Sequence, residues 1–212
     1  MKETIIFQTL ENRNNLDEVT KHGPYFCSFK DDNDVLKKGA KEPWLGEGYY
    51  FWDTNESDAI WWGNVSYNSR YYVFKSKYDQ HSELLFDILG NLDQFNELLA
   101  IAETIKEERN LTTISFPTVI HYLRTKTTFD KKYKAIRVFP AGNKLSSNIT
   151  FPCSKNNKPL EVAKLQKVQI CFYDKSLIKE WIFSKSNPRM HIIDQNKFIS
   201  PIEGLNTINE TI

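Results

Sequence analysis

Between Trp44 and Trp62 the chain sets Trp44, Tyr49, Tyr50, Phe51, Trp52, Trp61 and Trp62 around the glycine pair Gly46 and Gly48. Aromatic faces stack on flat, delocalised rings, and glycines let the backbone come close to a ligand. Tyr49-Tyr50-Phe51-Trp52 reads as a strand, because aromatic runs suit a pleated, half-buried surface. Asp53-Thr54-Asn55 supplies a turn, and Glu56-Ser57-Asp58 places acids where the start of a helix favours them. That helix carries Ala59, Ile60, Trp61 and Trp62. A glycine entry, an aromatic strand, a tight turn and an aromatic helix describe a flat slot for a planar ligand, with Tyr50 and Trp61 on its two sides. The competing reading of the same residues is an aromatic core, the usual fate of such clusters.

The order Gly-x-Gly, aromatic, Tyr-Phe, then Asp, with an Ala and an aromatic residue about one helical turn on, resembles the nicotinamide-site segment of the ADP-ribosyltransferase superfamily. It is similar to the version in poly-ADP-ribose polymerases and to that of a broad bacterial group with a Trp-Leu-Gly-x-Gly-x-Tyr-Phe-Trp stretch. The resemblance implies that Tyr50 and Trp61 stack on the nicotinamide, that Gly48 and Phe51 belong to the same wall, and that Asp58 stands where the polymerases have a hydrogen-bonding serine. In many members the first strand carries Tyr-His-Gly-Thr or Tyr-Arg-Gly-Thr, which holds the nicotinamide amide and the adenine ribose. The matching positions here are Phe7-Gln8-Thr9-Leu10, so Gln8 replaces the usual His or Arg and Thr9 follows it. A glutamine amide still donates and accepts hydrogen bonds. His22, beside Gly23, is a candidate substitute for the family histidine, but it sits at the end of the short helix and not on the first strand; a helix-end histidine favoured by the dipole is the simpler reading.

Val168-Gln169-Ile170-Cys171-Phe172-Tyr173-Asp174-Lys175-Ser176 resembles the third segment of the same superfamily and sets Gln169 where the catalytic glutamate usually stands. In the family that carboxylate holds the ribose 2-prime hydroxyl and steadies positive charge as nicotinamide departs. Gln169 keeps the hydrogen-bond acceptor and loses the charge. The difference between charge-assisted and neutral hydrogen bonds, about 1 to 2 kcal/mol, corresponds to roughly tenfold in rate. Such a site favours acceptors that need little activation, such as a nucleobase nitrogen. The resemblance therefore implies NAD as co-substrate, no metal, Gln169 and Tyr50 as the catalytic pair, and a macromolecular acceptor, RNA, DNA or protein. By family habit it also implies a toxin or phage-defence setting with an antitoxin protein as partner. Two other readings remain open: a catalytically silent fold that binds NAD or a protein partner, and an NAD glycohydrolase.

The elements that must position these residues follow from local signals. Thr4 to Leu10 is β-branched and aromatic, a first strand. Asn15 with Glu18 has capping-box spacing and opens a short helix that His22-Gly23-Pro24 stops. Tyr25 to Phe29 reads as a short strand and Asp31 to Lys41 as an exposed loop. Arg70 to Lys75 is another strand, and Glu83 to Leu89 is apolar without a decided type. Asn91 with Gln94 caps a helix to about Asn110, on which Leu92, Phe95, Leu98, Leu99, Ala102 and Ile105 recur at helical spacing. Pro117 opens a second helix to about Arg124 with Val119, Ile120 and Leu123 inward. The basic stretch from Lys126 to Arg137 reads most simply as a solvated connection. Ala135 to Phe139 is a strand, Asn143 to Lys158 a surface loop, Val168 to Tyr173 a strand, Leu177-Ile178 a turn and Trp181 to Phe183 a last strand.

The 212 residues suit one domain, 1–212, with a helical insertion at about 91–125 and a tail from about 185. Twenty-eight basic residues against 27 acidic ones give no bulk electrostatic case for nucleic-acid binding. Cys27, Cys153 and Cys171 share no short spacing, which argues against a disulfide framework and a zinc site and fits reduced thiols in a cytoplasm. No signal peptide and no membrane span is read from the sequence. The expected architecture is α+β of the ADP-ribosyltransferase type: two small antiparallel sheets that form an NAD cleft, with helices around it.

Overall fold

The computed structural model describes residues 3–31, 33, 35–38, 42–139, 148–151, 160–163 and 167–187. Its frame is a sheet built from β1 (Glu3–Glu11), β2 (Tyr49–Asp53), β3 (Tyr71–Asp79), β4 (Leu85–Asp87), β5 (Ala135–Val138), β8 (Gln169–Phe172) and β9 (Lys179–Ser186). The strand order is β4-β5-β8-β2-β1-β3-β9. β4 and β5 run parallel and the other neighbours antiparallel. A separate antiparallel pair joins β6 (Asn148–Phe151) and β7 (Leu160–Ala163).

Helices and strands are mixed, compatible with the expected α+β class, but among the described residues the expected pair of small antiparallel sheets is instead one seven-stranded mixed sheet plus this two-stranded pair. The reason is β8. It pairs with β2 along one edge and with β5 along the other, so the two groups of strands fuse across it. The surface loop expected over Asn143 to Lys158 contains β6; the rest of it lies outside the described residues. Of the strand expected at Tyr25 to Phe29 only a single bridge forms, Cys27 with Gly48. Within Glu83 to Leu89 the undecided segment is β4. The expected tail begins later, since Lys185 and Ser186 complete β9; residues 188–212 lie outside the described part.

Among the described residues five α-helices, α1 (Leu16–His22), α2 (Glu56–Ser66), α3 (Leu92–Glu108), α4 (Phe116–Lys126) and α5 (Phe129–Lys132), pack on the sheet. Side chains alternate across a strand, and antiparallel partners point to the same face. Phe7, Trp52 and Val73 therefore share a face with Phe86, Ile136, Val138 and Cys171. On one half of that face lies Ala59 of α2; on the other half lie Leu98 and Ile105 of α3, Val119, Ile120 and Leu123 of α4, and Phe129 of α5. The second face carries Ile6, Phe51, Tyr78, Leu85, Ala135, Ile170 and Phe172, and further along Tyr72 and Phe74 under Val19 of α1. Each fully buried Leu, Ile or Phe contributes about 1.5–3 kcal/mol, so these two layers dominate the stability.

Caps explain where the long helices start. Asn91 accepts from the N–H groups of Asp93 and Gln94, and Ser115 accepts from Thr118 one residue before the Phe116-Pro117 opening of α4. Asn15 does not close the expected capping box: its amide donates to Glu18 over 3.0 Å while its oxygen is buried without a partner. The basic stretch is not a simple solvated connection either. Phe129 and Tyr133 are buried in the core and Arg137 reaches into a carboxylate pair, while Lys131 and Lys132 are exposed and the half-buried Lys134 donates to the Asp130 carbonyl.

Candidate functional site

The seam between α2 and the α3–α5 group runs over β2 and β8, and it is where the aromatic stretch and Gln169 meet. Trp52 stands directly across from Gln169, and Tyr50 across from Cys171, so Tyr50, Trp52 and Gln169 share the face on which α2 packs. Trp61 and Trp62 of α2 surround Trp52 with ring centroids 6.1 and 5.9 Å away, and each of the two is 37% exposed. On the other side of Gln169, the indole N–H of Trp44 donates to its Oε1 over 2.7 Å. Four tryptophans and one neutral amide thus lie along one strip, Trp44, Gln169, Trp52, Trp61 and Trp62.

Tyr50 is held rather than presented. Its hydroxyl accepts from the N–H of Leu45 and donates to the carbonyl of Gly46, both at 2.8 Å. Burial pushes that hydroxyl far above the ordinary tyrosine range, and the nearby Cys171 thiol adds to the rise. Tyr50 therefore acts as a neutral hydroxyl that shapes the Trp44–Gly48 loop. Gly46 takes φ of +80°, which only glycine adopts freely, and turns that loop around the tyrosine. Gly48 serves a close approach of strands: a Cβ there would lie 2.5 Å from the Cys171 sulfur and 2.7 Å from the Phe172 carbonyl oxygen. The loop is braced from outside by Arg124, whose Nη1 donates to the Glu47 carbonyl over 3.2 Å and whose guanidinium lies 4.0 Å over the Tyr173 ring.

The other expected site residues are divided between the faces. Gln8 sits on the opposite face from Gln169, only 5% exposed. Its Nε2 donates to the carbonyls of Tyr25 and Tyr50, and its Oε1 accepts from the N–H of Tyr25. Both halves of the amide are thereby spent on backbone, and Gln8 clamps the Tyr25 segment to β1 and β2. Phe51 is likewise on that opposite face, 1% exposed and edge-on to Phe172 in the core. Thr9 faces α2, but its hydroxyl donates to the Ala59 carbonyl over 2.8 Å and joins helix to strand. Asp58 is buried and accepts from the backbone N–H of Lys167 over 2.9 Å. Tyr50 and Gln169 thus share one face with α2, the helix that carries Asp58 and Trp61, and Gln8 and Phe51 lie on the opposite face. His22 is exposed at the end of α1, away from this seam.

Three further residues hold the seam together. Trp44 supplies the bond to Gln169, Arg124 braces the loop, and Lys167 places its ammonium 3.5 Å from the centre of the Trp61 ring. Each acts on a residue remote in sequence. Only Trp44, at the head of the Gly-x-Gly stretch, was marked by its neighbours.

On the other face a buried ion cluster lies beneath the end of β2. Arg137 donates from Nε to Asp53 over 2.6 Å and from Nη1 to Asp87 over 3.2 Å, and the Tyr78 hydroxyl donates to Asp53 over 3.3 Å. Burial raises the Asp53 carboxyl above the usual carboxylate range, while Arg137 pulls it back. Among the described residues no group of three or more His, Cys, Asp or Glu side chains is placed to hold a metal ion. No helix among them is long and apolar enough to cross a membrane.

Compared with family models, with curated proteins and with solved structures, the chain matches none.

Proposed function

We propose that the protein is an NAD-dependent ADP-ribosyltransferase, with the nicotinamide end of NAD held along the Trp52, Trp61 and Gln169 strip. The observation that supports this reading is the pairing of Trp52 with Gln169 across β2 and β8, which joins the aromatic segment and the carboxy-terminal segment in one surface. Exposed tryptophan rings offer faces to a planar amide-bearing ring, and a neutral amide offers donors and an acceptor to a ribose hydroxyl. In this reading Gln169 orients the sugar and Trp44 orients Gln169. Tyr50 contributes as a support of the loop rather than as a proton carrier, since burial favours its neutral form. A site without a carboxylate beside the sugar favours a macromolecular acceptor that is nucleophilic without deprotonation. Incubation with labelled NAD and cell lysate, followed by nuclease or protease digestion, tests the reading: label retained on nucleic acid or protein supports it, and the absence of both label and nicotinamide release overturns it.

A second reading, a silent module that binds NAD or a protein partner, rests on Gln8. Its amide is fully bonded to the Tyr25 and Tyr50 backbone and lies on the face away from Gln169. NAD binding without nicotinamide release is the result that would select it.

A further inference from the structure

Lys167 precedes β8 by two residues and is fixed at its backbone. Its N–H donates to Asp58 over 2.9 Å, the next residue's carbonyl accepts from Asp53 over 2.9 Å, and its φ of +59° is one that non-glycine residues adopt at a cost. The side chain then leads back over α2, where the ammonium lies 3.5 Å from the centre of the Trp61 ring. Asp58 and Trp61 are three positions apart on the same helix face, so one lysine touches both ends of a single helical turn. Among the described residues the ammonium meets no carboxylate.

A cation over an aromatic face and a planar ring stacked on that face exclude one another. The ammonium is the mobile partner, because its four-carbon stem rotates while the backbone stays pinned. Once displaced, it still carries a full charge and lies within one side chain's swing of whatever is attached to the stacked ring. The displacement is compensated when that attachment is a phosphate, since charge-assisted hydrogen bonds exceed neutral ones in strength.

We propose that Lys167 is the phosphate-binding residue of this site, exchanging the Trp61 ring for a phosphate of the ligand when a planar ring takes its place. The inference rests on the NAD reading and sharpens its substrate class. The site selects a planar base joined through a sugar to a phosphate over the base or nucleoside alone.

Nicotinamide mononucleotide and nicotinamide riboside differ only in the phosphate, so their binding to wild type, Lys167→Met and Lys167→Arg, followed by tryptophan fluorescence with NAD alongside, isolates the exchange. Lys167→Met is expected to weaken the mononucleotide and NAD by about tenfold and to leave the riboside unchanged or tighter; Lys167→Arg is expected to keep most of the wild-type affinity. In the wild type, added salt is expected to weaken the mononucleotide and not the riboside, which tests the same contact without a variant. Equal weakening of mononucleotide and riboside in Lys167→Met, or no change in either, overturns the exchange while leaving the NAD reading in place. A wild type that binds none of the three ligands overturns both.

Discussion

The indole N–H of Trp44 donates to Oε1 of Gln169 over 2.7 Å and ties the loop ahead of β2 to the neighbouring strand β8. The bond leaves both amide N–H groups of Gln169 and one lone pair for other partners. If Gln169 acts on the sugar, Gln169→Ala lowers nicotinamide release at saturating NAD more than it lowers NAD affinity, because the contact strengthens as charge develops. Gln169→Glu makes the Trp44 bond charge-assisted and is expected to raise turnover about tenfold. Initial rates of the three proteins decide the matter. Equal rates in an active protein would move the chemistry to another residue.

Removing the Tyr50 hydroxyl tests whether that residue is structural. Tyr50→Phe leaves the Leu45 N–H and the Gly46 carbonyl without their 2.8 Å partner. Unsatisfied buried groups of this kind cost about 1–3 kcal/mol, so the urea midpoint should fall while the ring stays in place. An unchanged midpoint would mean that water replaces the hydroxyl and that the loop does not depend on it.

What the sequence made legible, and what it did not, divides along the range of the interactions. β1, β2, α2, α3 and α4 announce themselves locally: a β-branched or aromatic run, a cap such as Asn91 whose side chain bonds the first amides of its own helix, or a helix-opening proline such as Pro117. The composition of the Trp44 to Trp62 stretch likewise marked the seam. The face each residue occupies was not legible, because it depends on cross-strand register, and a shift of one residue reverses it. Register places Gln169 with Trp52 and Tyr50, and Gln8 with Phe51 on the far side. The sequence resemblance sets Gln8 at a ligand-binding position, yet its partners are the Tyr25 and Tyr50 backbone, which no spacing rule predicts. The single sheet escaped for the same reason, since it follows from β8 pairing on both edges.

Trp61 separates the ligand reading from the core reading of the aromatic stretch. At 37% exposure it contributes less to the core than Trp52, which is 6% exposed. Trp61→Ala is therefore expected to weaken NAD binding by about 1–3 kcal/mol, the scale of aromatic stacking on a base. Its effect on the thermal midpoint should be smaller than that of Trp52→Ala, for which burial predicts a loss of about 3–5 kcal/mol. Unaltered NAD affinity in Trp61→Ala, with the wild type binding, would assign the ring to packing alone.

The Asp53, Arg137 and Asp87 cluster predicts a dependence of stability on pH. Burial raises the folded-state value of Asp53 above that of the unfolded chain, so the folded protein binds more protons between the two values. The stability this group contributes is full below the ordinary carboxylate range and is lost as pH rises through its raised folded value. Arg137, whose guanidinium is 2.6 Å from Asp53 and 3.2 Å from Asp87, limits that loss by favouring the charged form of Asp53. Arg137→Met removes the cation and leaves the buried Asp53 carboxylate without its counter-ion, beside the half-buried Asp87, a change expected to cost about 3–5 kcal/mol near neutral pH. Acidification protonates Asp53 and should recover part of that loss, so the gap between wild type and variant narrows as pH falls. Urea titrations of both proteins at neutral and acidic pH measure it. A gap that stays constant with pH would show that Asp53 does not depend on Arg137 for its charge, and that the variant loses only packing.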